Sequence, residues 1–380
     1  MVTTGIVYHG SESLPMVHND NFEVNAFELK SLVFKLTTFG SGFIRIVQPD
    51  NSSNYEDYGD NKIHVSIKVF ADHTDWFERI QIIPTKHQNN FSLVIANADN
   101  QSINRNNTFV ITNRLHIKMV VTIPISLNHL EKLQLESNSQ NIKIDDVDEL
   151  FTESVLVKTN SGKISVVKSL DASAISLETV SGALGPMTLS AATSLSAKTT
   201  SGHIDIQQQP DSTTSSVRLE TASGDIGGKF VAGQHFTANT ISGSVNVVVN
   251  ASESGSRPSV DLQTISGIID GCVSVGKRLK LTSVSGPVKL QLDLGSNALN
   301  VTGSSVSGNL TINFLRPFAG DFALATLFGR MKILTSTKSS VKYREKRKTK
   351  LVGQSSTMGV KVCEGSIKLD TMSGNIELGL

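Results

Sequence analysis

Four groups of residues have the types and spacing that chemistry would need. His203, Asp205 and Asp225 fall at matching places in neighbouring stretches, and glycoside hydrolysis needs two carboxyls about 5 to 9.5 Å apart. The equivalent places elsewhere hold Lys163, Ala183, Ser244, Ile268, Pro287 and Asn309, so a solvated face accounts for the three residues as well. Gly271-Cys-Val-Ser-Val-Gly276-Lys277-Arg278 approaches the phosphate-binding loop G-x-x-x-x-G-K-[ST]. Arg278 stands where the magnesium-holding hydroxyl belongs, and Leu279-Lys-Leu281 alternates like a strand where a helix should start. Asp145-Asp146-Val147-Asp148-Glu149 lacks the spaced ligands and glycine of a calcium loop and reads as an acidic turn. Lys342, Arg344, Lys346, Arg347, Lys348 and Lys350 make a basic run, read as an insertion loop at 339–352. Such a run is a solvated loop, a nuclear-targeting patch or an anionic-surface contact. Only Tyr343 lies among its charges, so the aromatic interleaving of a nucleic-acid platform is missing.

The remaining reactive types are thinner still. Cys272 and Cys363 cannot frame a chain of this length with disulfides and read as partly buried thiols, a single bridge between them staying open. No Cys/His cluster, zinc-binding His spacing or G-x-S-x-G elbow appears. The sequence therefore predicts no catalytic residue, no metal and no cofactor.

What must position these residues is a repeat. Ser-Gly recurs at Gly162, Gly182, Gly202, Gly224, Gly243, Gly267, Gly286, Gly308 and Gly374, with steps of 20, 20, 22, 19, 24, 19 and 22 residues up to Gly308. Two residues before each serine stands Thr or Ser. Two residues after each glycine stands an aliphatic such as Ile164, Ile226 or Val288. The consensus is apolar-x-apolar-x-Thr-x-Ser-Gly-x-apolar-x-apolar, which is period-two alternation on both sides of a glycine. The glycine requires either a positive φ or a corner too tight for a Cβ. The hydroxyls at fixed offsets would stack from coil to coil and satisfy the corner backbone. The fold class predicted is all-β, a single-stranded parallel β-solenoid (β-helix) with coils of about 20 residues.

Degenerate copies extend the pattern, at Leu133 to Ile144 without its glycine and at Gly329, Met331 and Ile333. The array resumes at Gly359 and ends on Ile376-Glu-Leu378 as an uncapped strand. Residues 1–130 alternate less regularly, as in Ile63-His-Val65-Ser-Ile67-Lys-Val69, and read as irregular opening coils that cap the array. The division predicted is therefore 1–130 and 131–380.

Composition agrees. Across 380 residues the net charge is +1, with 38% hydrophobic, 18% charged and 6% aromatic residues. Charge falls below the roughly 25% usual in soluble domains, so neither a polyanion partner nor an acidic tail is implied. No apolar stretch approaches the roughly 20 residues that span a bilayer, and no signal peptide is visible, so the sequence reads as soluble and intracellular.

Leu115-His-Ile-Lys-Met-Val-Val-Thr-Ile-Pro124, then Leu133 to Ile144, then the Thr-x-Ser-Gly repeats resemble the bacterial "putative adhesin" β-solenoid proteins, close to the head GIN-domain proteins. The likeness covers about 28–380 and is sharpest over 115–312. It departs in the basic insertion and in lacking an export signal. The resemblance implies a β-solenoid with an adhesive or surface-structural role at the cell surface, and it supplies no catalytic residues. The function expected is a non-enzymatic, adhesion-like solenoid presenting Ser/Thr-rich faces to a protein or glycan surface, with end-to-end self-association through its terminal coils. The alternatives are a carbohydrate-active β-helix enzyme and an intracellular interaction module directed by the basic loop.

Overall fold

The computed structural model describes residues 14–27, 29–48, 61–72, 80–97, 115–145, 147, 150–252, 255–294, 299–335, 339–357 and 363–380. Asp146, Asp148 and Glu149 of the acidic run, the resumption point Gly359 and the side chain of Cys363 lie outside them, as do most of the segments read as loops. No helix occurs among the described residues, so none is long and apolar enough to cross a membrane. The chain divides into two compact units, Met1–Leu170 and Asp171–Leu380.

In the second unit each repeat supplies two strands, one to each of two sheets, and the turn between them is the Ser-Gly corner. Ile204–Gln208 pairs parallel with Ile226–Asn239, which pairs with Val245–Asn250, which pairs with Ile269–Val275. In the other sheet Thr214–Glu220, Ile226–Asn239, Ser259–Gln263 and Arg278–Thr282 follow one another in the same way. The long strand Ile226–Asn239 bends from one sheet into the other. Alternation decides what is buried: Val217, Leu219, Val245, Val247, Val260 and Leu262 all point inward with almost no exposure. Phe230 and Phe236 fill one layer with ring centroids 5.1 Å apart.

The stacking order departs from the chain order at the end of this unit. Cys363–Thr371 lies between Leu299–Ser305 and Phe318–Thr326, parallel to both. Ile376–Gly379 likewise lies between Leu310–Phe314 and Met331–Leu334. The last strands of the chain are therefore interior, which corrects the expectation of an uncapped terminal strand and removes the basis for end-to-end pairing there. The reason is a match of pattern: Thr371, Gly374 and Ile376 carry the full corner, whereas Phe318–Leu334 carries a degenerate one.

The basic insertion is not a loop. Ser339–Arg347 and Lys350–Thr357 form an antiparallel hairpin, and Lys350–Thr357 pairs antiparallel with Phe318–Thr326. Tyr343 packs edge-on against Phe322 at 6.1 Å, anchoring the hairpin to the core. Among the described residues Ser339–Arg347 pairs on one side only, and its charges suit an edge strand, where they discourage further pairing.

The first unit uses the same devices. Ser31–Leu36 lies between Asn90–Asn97 and His129–Ser137, parallel to both. Ser41–Val47 lies between Leu115–Thr122 and Asn141–Ile144. Antiparallel strands finish each sheet: Ile80–His87 on Asn90–Asn97, and Met16–Asn25 and Leu115–Thr122 on either side of Lys62–Ala71. Residues 129–144 thus share one core with the opening strands, which places the compact boundary at 170 and not near 130.

Candidate functional site

The corner is built by the Thr-x-Ser-Gly tetrad. As the chain leaves a strand, the threonine points inward: Thr199, Thr240 and Thr264 are 3%, 5% and 2% exposed. Its hydroxyl oxygen accepts the N–H of the glycine three residues on, at 3.0 Å for Gly202 and Gly267 and 3.1 Å for Gly224 and Gly243. The same hydroxyl donates to the glycine carbonyl of the preceding layer, Thr240 to Gly224 and Thr264 to Gly243 at 3.1 Å. One hydroxyl thus satisfies two buried backbone groups that the turn removes from the sheet ladder. The fixed threonines are accordingly interior, and the corner serines face water. Thr240→Val is expected to cost about 1 to 3 kcal/mol, because both partners lose their bond in a buried setting, while Thr240→Ser retains most of the stability. Urea midpoints of the two variants check this.

The glycine slot is set by close approach. None of the nine corner glycines has a left-handed φ. A Cβ at Gly202, Gly224 or Gly243 would sit 1.8 Å from the carbonyl oxygen of the previous layer's glycine. Of the two causes open from sequence, the tight corner is the operative one.

His203 and Asp225 are brought together, with His203 Nδ1 3.4 Å from Asp225 Oδ2. The Asp225 N–H donates to His203 Nδ1 at 3.0 Å, and the Ser244 N–H donates to Asp225 Oδ1 at 2.7 Å. Asn309 and Asn375 do the same at this slot, each accepting the next layer's N–H at 2.8 Å. The slot after the glycine therefore carries side-chain acceptors for the next layer's N–H at His203, Asp225, Ser244, Asn309 and Asn375, and none at Lys163, Ala183, Ile268 or Pro287. Asp205 stands in strand register opposite Gly227 and is exposed, and it makes no hydrogen bond or ion pair with either residue.

The other candidates resolve similarly. Gly276 and Lys277 form a tight turn between Ile269–Val275 and Arg278–Thr282, and the Gly276 N–H donates to Pro258 O at 2.9 Å, so no phosphate cradle forms there. Burial and the Asp293 carboxylate push the Cys272 thiol up, away from reactivity. Asp145 is paired with Arg45 and with Lys143. No group of His, Cys, Asp and Glu among the described residues is arranged to hold a metal. In the basic hairpin Arg344 pairs with Asp321 at 3.1 Å, and Glu345 binds both Arg347 and Lys350. The Lys350 hydrogen bond holds the Glu345 carboxyl below its ordinary range. Lys346 lies over the Tyr343 ring, while Lys342 and Lys348 make no ion pair among the described residues.

Sequence reasoning missed one surface. The residue between the Thr and the Ser of each corner is exposed except at half-buried Ala222, and at Val180, Ile241, Ile265, Val284, Val306 and Met372 it is a large apolar one, 40–53% exposed. Leu327 and Phe328 continue the row at 60% and 81%. A groove of about 440 Å³ runs beside it, lined by Lys198, Glu220, Asn239, Gln263 and Thr282 with the corner residues. The signal was legible: six of the nine Thr-x-Ser slots hold Val, Ile or Met where a turn should be polar. A second groove, about 360 Å³ and polar, lies on a strand face at Asp270, Lys289, Gln291, Thr311 and Asn313.

Comparison with known proteins gives a family and a set of distant structures. The family described as Toastrack DUF4097 matches residues 59–271 and 187–379. No curated protein matches the chain. Among solved structures, a "putative cell adhesion protein" from Clostridium sporogenes is 9% identical, with 95% of this chain and 98% of that chain covered and a TM-score of 0.19. A "putative lipid binding protein" from Parabacteroides distasonis is 12% identical, covering 78% and 97%, at 0.37. A "putative adhesin" from Bacteroides fragilis is 9% identical, covering 96% and 97%, at 0.25.

Proposed function

We propose, since the chain belongs to the Toastrack DUF4097 family, that its stacked two-strand layers form a β-solenoid with a non-enzymatic, adhesion-like structural role. The coils are about 20 residues long, and their outer surfaces meet a protein or a glycan. One observation carries this reading. The threonine of the repeat spends its hydroxyl on the backbone of its own and the preceding layer. Even His203 and Asp225, the residues best placed for acid–base work, cap backbone N–H groups. Surfaces left for recognition are the serine-edged corner and the polar groove at Asp270, Lys289 and Gln291, whose amides and charges suit sugar hydroxyls.

The test separates binding from turnover. Uronic-acid and neutral polysaccharides are expected to be left intact by the full chain, and Asp205→Ala and Asp225→Ala should leave that result unchanged. Asp225→Ala should instead lower stability by about 0.5 to 1.5 kcal/mol through its lost backbone bond. Product release that disappears in either variant would establish the carbohydrate-active alternative and overturn the structural role.

A further inference from the structure

The row identified above runs through consecutive layers, its large apolar side chains missing only at Thr200 and Ala222. Backbone N–H groups link Thr200 to Val180, Ala222 to Thr200, Ile241 to Ala222, Ile265 to Ile241, and onward through Val284, Val306 and Met372 to Leu327. Those nine layers, at about 4.8 Å each, make a ridge roughly 38 Å long within the second unit. Single exposed apolar residues need no explanation, but a contiguous row beside a groove marks an interaction surface. With a flank on each side, a ridge of that length approaches the about 800 Å² per partner of a standard interface.

We propose that this ridge is a side-by-side interface with a second copy of the chain, related by a two-fold axis through Ile265 that runs the two ridges antiparallel. The inference goes beyond the adhesion-like reading and does not depend on it. Three observations select this occupant. The first is period: a second copy presents side chains at the same spacing as these layers. The second is shape. Two layers, at Thr200 and Ala222, lack a large apolar side chain, and counting from Ile265 they stand as far away as Met372 and Val306 do on the other side. The antiparallel arrangement therefore sets large residues over small ones, whereas a parallel one leaves the small pair facing itself. The third is charge. The central layers carry Asn239, Gln263 and Thr282 on the groove flank, with no charge to oppose contact. In the antiparallel arrangement Lys198 of one copy meets Asp370 of the other, whose carboxylate is shared with Lys368 of its own chain at 3.5 Å. A parallel two-fold would instead bring Glu220, paired with Arg218, against Asp225, paired with His203.

Sedimentation velocity of the full chain tests the inference. The chain should be dimeric in the micromolar range. Ile265→Asp, which places a like-charge pair on the axis, should weaken the dimer about 100-fold. The Ile265 side chain is 47% exposed, so the melting temperature measured where the chain is monomeric should not change. Lys198→Asp and Asp370→Lys should each weaken the dimer, and the double variant should restore it. A wild-type monomer, an Ile265→Asp variant that still dimerises, or a double variant that fails to recover would each overturn the proposal. So would a monomer that co-floats with phosphatidylcholine vesicles, since the ridge would then take lipid.

Discussion

Gly267→Ala is expected to unfold much of the second unit. The new Cβ would lie 1.7 Å from the Gly243 carbonyl oxygen and 2.8 Å from the Ser244 nitrogen, both backbone atoms that cannot swing aside. Relief requires two layers to part by more than an ångström. That movement breaks the Thr264 hydroxyl bond to Gly243 and the Ile265 and Ser266 N–H bonds to Ile241. Backbone disruption on this scale belongs to the exceptional class of about 4 kcal/mol or more, a large share of the 5 to 15 kcal/mol by which domains are stable. Gly227→Ala is the matched control, because its nearest neighbour would be 3.8 Å away and its φ is unremarkable. Its urea midpoint should move little. Equal effects at the two glycines would refute the close-approach account of the corner.

Truncation after residue 362 should be more damaging still. An exposed last coil would be dispensable, costing one layer. The strands removed are instead interior to both sheets, flanked by residues 299–314 on one side and 318–334 on the other. Ile367, Leu369, Ile376, Leu378 and Leu380 are all buried. At about 1.5 to 3 kcal/mol for each buried side chain, their loss amounts to roughly 10 kcal/mol, comparable to the stability of a whole domain. It also orphans the layer at 318–334 together with its hairpin. The expected result is aggregation on expression and no cooperative transition in the soluble remainder. A soluble truncated chain with only a modestly lowered melting temperature would show that the last layer is peripheral after all.

These two cases mark what the sequence could and could not convey. The Thr-x-Ser-Gly pattern has one residue per job, so the hydroxyl that serves the corner backbone and the inward aliphatics were readable from spacing, whereas the burial of the threonines and the cause of the glycine were not. Stacking order was not, because each coil matches any other coil equally well. The 66 residues between Ser307 and Ser373 looked like an interruption followed by resumption, yet the structure makes those corners neighbours, with the Ser373 N–H bonded to Val306. The hairpin was obscured for a different reason. An edge strand buries little, so Lys342, Arg344 and Lys346 give it the composition of a loop, and only Tyr343 against Phe322 betrays its inner face. The apolar ridge escaped notice because alternation assigns burial along strands and says nothing of the turn residue between them.

The interior position of the last strands has a consequence for how the molecule is made and how it could evolve. A stack ordered like its sequence can settle layer by layer as it is synthesised. Here residues 318–334 and the hairpin that follows cannot dock until the final eighteen residues, 363–380, have been released and slotted beneath them. Closure of this end waits for residues 363–380, and the contacts that close it span long sequence separations, which slows folding. Duplicating residues 363–380 would not simply extend such a stack, because strands already cover both edges of that layer. Coils fit without reordering where chain order and stacking order coincide, as they do from Ile204 to Phe314.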